Sequence, residues 1–452
     1  MKIAGRTKIY ETEEKPKRAF LVSLYDARPA GGSAPPSPAE GSREEAESLS
    51  GELAGLAGAL GLEIAAREII PVRERSPGYG VGSGKARELA ERAGELEADC
   101  FVFDWDLSPS QQRNWETLSG LSAMDRQELI IRIFADRALS REAELQVRLA
   151  ELNYALPRLS HKYIDLSRQR GGRYGTRGSG ETRLETDRRQ LEQRIYRIKR
   201  ELEEVRLQRE IQRKQRERQG IPVCALVGYT NAGKSSLLNA LTGAGVPAED
   251  KLFVTLDAVS RRLELRKGFS ILLTDTVGFI RRLPHTLVDA FRSTLEEAAR
   301  ADLLIHVLDA ADPDIHRYYE TTLSVLEELG AGQVPRIDVL NKIDRLAASA
   351  EPGLPALLSR YPGAVALSAR TPPSGPAFPG NQGGLEELRA RIGQILAAGA
   401  VRFRFPLDRP DLASLLHRQG QVISETWEAD HIALEARVDG RLSGQLKSYA
   451  AD

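Results

Sequence analysis

Val223-Cys-Ala-Leu-Val-Gly228-Tyr-Thr-Asn-Ala-Gly-Lys-Ser235 decides how the rest of this 452-residue chain is read. Val223–Val227 is a short apolar run suited to a buried strand, and Lys234–Leu241 has the pattern of a helix start. Between them Gly228 and Gly233 let the backbone curl, so that successive N–H groups point inward at phosphate oxygens. The N-terminus of the following helix adds its partial positive charge. Lys234 would place an ammonium between the β- and γ-phosphates, and the Ser235 hydroxyl would ligate Mg²⁺. Gly228, Tyr229, Thr230, Asn231, Ala232, Gly233, Lys234 and Ser235 are therefore expected around a nucleotide.

Two further stretches follow in order. Asp275-Thr276-Val277-Gly278 closes the apolar run Ile271–Thr274, and its Asp275 would hold Mg²⁺ through water. Gly278 would bring its own N–H to the γ-phosphate, a contact that a side chain would hinder. Asn341-Lys342-Ile343-Asp344 follows the apolar run Ile337–Leu340, and the Asp344 carboxylate can accept from guanine N1–H and the exocyclic amine together. Adenine would leave that carboxylate unpaired, a discrimination on the order of 10⁴ or more. Ser368-Ala369-Arg370 fits the loop that meets guanine O6 through backbone N–H groups. Thr255, within Phe253-Val254-Thr255-Leu256-Asp257, is the expected switch threonine that caps Mg²⁺ and lets go after hydrolysis. Lys234, Thr255 and Gly278 are thus the expected catalytic residues, and GTP with Mg²⁺ the expected ligands. Phe279 stands where many GTPases of this fold carry the glutamine that orients the attacking water. Hydrolysis then needs either a partner that completes the site or another group that positions water; a third reading, that the domain only binds GTP, is disfavoured by the intact Mg²⁺ and γ-phosphate contacts.

The remainder bounds the setting. A chain this long implies about two to four domains. Hydrophobic content of 41% and charged content of 28% are those of a globular chain, and net charge is zero. The two cysteines, Cys100 and Cys224, fall in predicted strands and read as small buried hydrophobes rather than a disulfide or zinc site. The N-terminus lacks the apolar core of a signal peptide and no run reaches the roughly 20 apolar residues of a membrane span, so a cytoplasmic protein is expected.

Upstream, strands Phe20–Leu24, Leu62–Ile70 and Cys100–Phe103 alternate with helices Glu44–Leu60 and Lys85–Gly94, which predicts a small parallel sheet. Pro29–Pro38 is expected to be a surface excursion. Gly80-Val-Gly-Ser-Gly-Lys85 reads as a plain strand–helix turn in preference to a second nucleotide site. Leu145, Leu149, Leu152 and Leu156 recur at helical spacing up to Pro157, where this helix is expected to end. Leu191, Ile195, Ile198, Leu202 and Val205 form the matching seam, so the two helices should pair as a long antiparallel hairpin. Its tip, Ser167–Gly180, holds four arginines, five glycines, one tyrosine and no acid. Such a loop cannot build a core; Arg168, Arg170, Arg173, Tyr174 and Arg177 suit RNA phosphates and unstacked bases.

The expected architecture is α/β and multidomain: a small parallel α/β domain over 1–121, the hairpin over 122–219, a doubly wound P-loop GTPase domain over 220–399, and a small α+β domain over 400–452.

At this point the chain closely resembles the HflX family of ribosome-associated GTPases. The resemblance rests on Gly82-Ser-Gly-Lys85, Leu107-Ser-Pro-Ser-Gln-Gln-Arg-Asn114, Asp125-Arg126, Tyr154-Ala-Leu-Pro-Arg-Leu159, Thr176-Arg-Gly-Ser-Gly-Glu-Thr182, the phosphate loop, and Asp275-Thr-Val-Gly-Phe-Ile280. It implies binding to the large ribosomal subunit, splitting or rescue of stalled or stressed ribosomes, and a monomer whose tip loop reaches toward the peptidyl transferase centre. Contact with the ribosome would then complete the site that Phe279 leaves unfinished. Some members also hydrolyse ATP through the N-terminal domain, which adds modest weight to Lys85 as part of a second, weak ATPase. Ser236, Gln127-Glu128, Arg183 and the Pro/Gly-rich insert Thr371–Gly384 depart from the family pattern without removing a ligand.

Overall fold

The computed structural model describes residues 17–27, 42–169, 179–218, 221–245, 252–253, 259–266, 269–282, 297–346, 353–370, 381–397, 400–438 and 440–451. The expectations for Pro29–Pro38, for 170–178 of the hairpin tip and for 371–380 of the insert lie outside these residues. Contacts divide the chain into two compact units, one of Met1–Ile133 with Tyr154–Arg189, the other of Phe134–Asn153 with Gln190–Asp452.

In the first unit, strands β1 (Arg18–Asp26), β2 (Glu63–Val72), β3 (Cys100–Phe103) and β4 (Ser122–Asp125) form one parallel sheet in the order β2-β1-β3-β4. Ala19–Val22 and Phe101–Phe103 are buried on both faces, which is why these strands read as unbroken apolar runs. Helices α1 (Arg43–Ala59), α2 (Ser83–Glu95) and α3 (Pro109–Ser119) accompany them. Ser108 and Gln111 cap α3 reciprocally, with Pro109 in its first turn. Trp115 of α3 is fully buried, its ring 5.2 Å from that of Phe101 and 4.8 Å from that of Phe103.

Beneath the sheet edge, Arg126, the first residue of α4 (Arg126–Arg137), donates to Glu52 at 2.5 Å and to Asp104 at 3.1 Å, all three being buried. Its neighbour Asp125 accepts from the N–H groups of Leu107 and Glu128 and from the Arg158 guanidinium at 3.1 Å. Burial nevertheless pushes the Asp125 carboxyl up to about 6. Arg158 also donates to the Leu107 carbonyl at 2.8 Å and lies 3.4 Å above the Tyr154 ring.

This clamp corrects the expectation that a helix ends at Pro157. Helix α5 (Arg141–Gln169) runs through it. A proline removes one N–H and crowds one carbonyl, at about 3 kcal/mol. Here Tyr154 and Arg158 hold the adjoining turn through tertiary contacts, and a continuous helix results.

In the second unit, Leu145 and Leu149 of α5 and Ile195 and Ile198 of α6 (Ser179–Arg218) are buried. Arg141 pairs with Glu201 at 2.6 Å and Arg209 with Glu142 at 2.8 Å, so the two helices run antiparallel here. A six-stranded sheet follows, built from β5 (Val223–Val227), β6 (Val259–Arg266), β7 (Phe269–Asp275), β8 (Leu303–Asp309), β9 (Arg336–Asn341) and β10 (Val365–Ala366). Its order is β10-β9-β8-β5-β7-β6, all parallel but for β6. Helices α7 (Lys234–Thr242), α8 (Ile315–Glu328), α9 (Leu354–Arg360) and α10 (Asn381–Ala397) complete this doubly wound fold. An antiparallel sheet ends the chain, with β11 (Val401–Pro406), β12 (Gln421–Trp427), β13 (His431–Arg437) and β14 (Ala450–Ala451) in the order β12-β13-β11-β14. Helix α11 (Pro410–Gln419) joins its core through Leu416, against Phe403, Phe405 and Leu434. Cys100 and Cys224 are buried and free.

Arg126→Ala leaves two buried carboxylates without their common cation. It should cost about 3–5 kcal/mol in denaturant unfolding followed by the fluorescence of Trp115 and Trp105.

Candidate active site

β5 lies between β7 and β8, the point where successive connections leave the sheet in opposite directions and where ligands gather at the carboxyl ends of strands. Gly228 follows β5 directly with φ 143°, and a Cβ there would collide with the Val307 carbonyl oxygen of β8. Gly233, with φ 94°, caps α7. Lys234 opens α7, and its buried Nζ donates back to the Gly228 carbonyl at 3.1 Å and the Tyr229 carbonyl at 2.8 Å. Burial lowers its ammonium to about 8; Lys342 acts in the same sense and Asp275 opposes both.

Ser235 Oγ donates to Asp275 Oδ2 at 2.6 Å, so two hard oxygen donors of the type Mg²⁺ prefers stand together at the loop edge. Thr276 donates its hydroxyl to the Leu226 carbonyl at 2.6 Å, and Val277 is buried. Gly278 lies against the loop itself: a Cβ on it would stand 2.8 Å from Lys234 Nζ and 2.8 Å from Thr230 Cα. Phe279 is 2% exposed. Its N–H donates to the Gly228 carbonyl at 3.1 Å and its carbonyl accepts from Thr230 N–H at 2.8 Å, a parallel bridge beside Tyr229.

At the other end, the Asn341 amide bridges two segments. It donates to the Ala232 carbonyl at 2.9 Å and accepts from Ala369 N–H at 2.9 Å. Lys342, in the left-handed region with φ 62°, reaches back to donate to the Asn231 carbonyl at 2.6 Å. Ile343 and Asp344 lie in a single 3₁₀ turn, and Asp344 accepts from the Ser368 hydroxyl at 2.5 Å. Arg370 is exposed beside them. Three motifs separated in sequence thus meet around one phosphate loop.

Other expected site residues are described in part or not at all. Phe253 is buried, its ring edge-on to that of Phe134 at 4.7 Å. Val254, Thr255, Leu256 and Asp257 lie outside the described residues, as do Arg170, Arg173, Tyr174 and Arg177. Arg168 belongs to α5, with its backbone alone described. Lys85, at the start of α2, pairs with Glu88 on its own helix at 2.6 Å.

One contact escaped the sequence reading. Asp309 Oδ2 stands 2.7 Å from Lys342 Nζ, so Lys342 is held by a carboxylate while it grips the phosphate loop. Its signal was available: Asp309, like Asp275, is an acid that closes an apolar strand at the sheet's carboxyl edge.

Three family models match the chain: a GTP-binding GTPase N-terminal region over residues 47–135, a GTP-binding GTPase middle region over 137–216, and a 50S ribosome-binding GTPase over 223–342. The GTPase HflX of Akkermansia muciniphila is 44% identical, covering 98% of this chain and 100% of that protein. The GTPase HflX of Escherichia coli K12 is 43% identical, over 80% of this chain and 83% of that one. Among solved structures, a GTP-binding protein from Sulfolobus solfataricus in complex with GDP is similar over 84% of this chain and 99% of its own, at 24% identity and a TM-score of 0.44.

Asp309→Asn removes the anionic partner of Lys342, a charge-assisted contact, and should weaken fluorescent GDP binding about tenfold in equilibrium titration. A phosphate site built on the ammonium form of Lys234 should also show a pH limit. Lys234 is charged below about pH 8 and loses its proton as pH rises through that value. Apparent GDP affinity should therefore be flat below that point and fall above it, by up to about tenfold per pH unit, in titrations between pH 7 and 9.

Proposed function

The chain belongs to the HflX family of GTPases, and on that premise we propose that it hydrolyses GTP while bound to the large ribosomal subunit, splitting or rescuing stalled or stressed ribosomes. GTP controls association in this reading, and its hydrolysis allows release. The observation that carries it is Phe279. A buried phenylalanine follows Gly278, where a water-orienting side chain would otherwise stand, so the site is built to bind and is incomplete for turnover. The match of residues 223–342 to a 50S ribosome-binding GTPase model supports the large subunit as the partner that completes it.

The chemistry follows from the chain's own groups. Loop N–H groups and the Lys234 ammonium stabilise charge developing on the γ-phosphoryl oxygens. Asp344 and the Ser368–Arg370 loop read the guanine edge, while Asn341 and Lys342 tie that reading to the phosphate loop. Ser235 and Thr255 would hold Mg²⁺, with Asp275 acting through water, and the ion would supply positive charge against the phosphates. The hairpin tip, with Arg168, Arg170, Arg173, Tyr174 and Arg177, is the proposed contact to ribosomal RNA. A cytoplasmic monomer fits this role, and no described helix is long and apolar enough to cross a membrane. Lys85 pairs with Glu88 on its own helix, and a second, weak ATPase activity in the N-terminal region is a minor part of this reading, carried by the family likeness alone.

Purified large subunits should raise GTP turnover at least tenfold over the protein alone. Replacing Arg168, Arg170, Arg173 and Arg177 with glutamine should abolish the rise and spare the unstimulated rate. Normal nucleotide binding without any stimulation by large subunits would refute the proposal.

A further inference from the structure

We propose that Tyr318, on α8, is a positioning residue that sets the preference of this site between GDP and GTP. With Tyr229 and Arg281 it latches the Gly278–Arg281 segment onto the phosphate loop, in a conformer that competes with a terminal phosphate. The inference rests on the GTPase reading above and adds to it a means of regulation.

The latch joins three elements of the second unit. The Tyr229 ring, in the phosphate loop, stacks on the Tyr318 ring with centroids 3.9 Å apart and planes 13° from parallel. The Tyr229 hydroxyl accepts from Arg281 N–H at 2.8 Å. The Arg281 guanidinium, on a side chain 8% exposed overall, lies 5.6 Å from the Tyr318 ring centroid. Offset aromatic stacking, a cation over a ring face and a buried hydrogen bond are separately modest and here act on one joint.

What the joint holds is the pairing of Phe279 with the phosphate loop. Thr230 N–H, a donor of the loop, is engaged by the Phe279 carbonyl at 2.8 Å. The space beside Lys234 Nζ is taken up by Gly278, where even a methyl group would come to 2.8 Å. A γ-phosphoryl oxygen shared by Lys234 and the Gly278 N–H needs roughly 2.7–2.9 Å to each. Gly278 must therefore draw back to admit it, and Phe279 and Arg281 are pulled with it against the stack. The α- and β-phosphates of GDP would sit along the loop and the start of α7 and would make no such demand. A ligand shifts an equilibrium only by its differential affinity for the two conformers. Loosening the latch should therefore favour GTP and leave GDP where it was.

The test is equilibrium titration of the full-length protein with fluorescent GDP and with a fluorescent, non-hydrolysable GTP analogue. Tyr318→Leu should tighten the GTP analogue about three- to tenfold and change GDP affinity less than twofold. Tyr318→Phe, which keeps the stacked ring, should match the unmodified protein. Arg281→Gln takes the guanidinium off the ring and should move the ratio in the same direction, which answers the question should Tyr318→Leu fold poorly. An unchanged ratio overturns the latch, as does an equal loss for both nucleotides, which is what a purely structural role predicts. If the unmodified protein binds neither nucleotide, the GTPase reading itself falls and the latch with it.

Discussion

One constraint on which the second unit depends is the approach of Gly228 to the Val307 carbonyl. No residue with a Cβ fits there, because β8 passes directly behind the loop that leaves β5. That approach fixes where the loop starts, and the left-handed Gly233 fixes where α7 takes over. Between them the backbone curls, with Thr230 N–H held by the Phe279 carbonyl and Ala232 N–H by the Tyr229 carbonyl. Lys234 is then buried with its ammonium on the loop's own carbonyls, a position that burial alone would make costly and that anionic phosphates relieve.

Around that loop the molecule uses amide and ion-pair bridges beside apolar packing. Asn341 ties the loop to the Ser368–Arg370 segment through one side chain, and Asp309 pairs with Lys342, which reaches the loop from the other side. The Asn341–Asp344 turn, the Ser368–Arg370 segment and the phosphate loop are therefore tied together by side chains. Phe279 contributes differently, since its backbone pairs with the loop while its ring is buried. A residue that would act on water elsewhere acts here on packing.

The first unit solves a separate problem, how to hold a long helix that contains a proline. Asp125 gathers three donors from three segments, and Arg158 returns two of its own bonds to the same place. The neighbouring Arg126 is matched by two carboxylates. Buried charges in such numbers are tolerated because each has a partner in hydrogen-bond geometry, and removing one partner would leave the rest uncompensated. The motif residues Asp125, Arg126 and Arg158 are explained by this anchorage.

The sequence by itself determined the phosphate loop, the Asp275–Gly278 turn, the Asn341–Asp344 turn and the strands that carry them. Each is a local pattern in which an apolar run is closed by glycine or a short polar group, and its meaning survives translation into structure. It also determined the small parallel sheet and the paired helical seams, since burial on two faces and burial on one stripe leave different periodicities. Tertiary structure alone decided the passage of α5 through Pro157, because the contacts that overrule the proline come from Leu107 and Asp125. It alone decided that Asp309 holds Lys342, and that Lys342 reaches Asn231 across 111 positions of sequence. The stack of Tyr229 on Tyr318 belongs with these, for its partners come from the loop after β5 and from α8. Spacing along a chain records which residues share a strand or a helix face; it holds no record of which distant side chains the closed sheet brings within three or four ångströms.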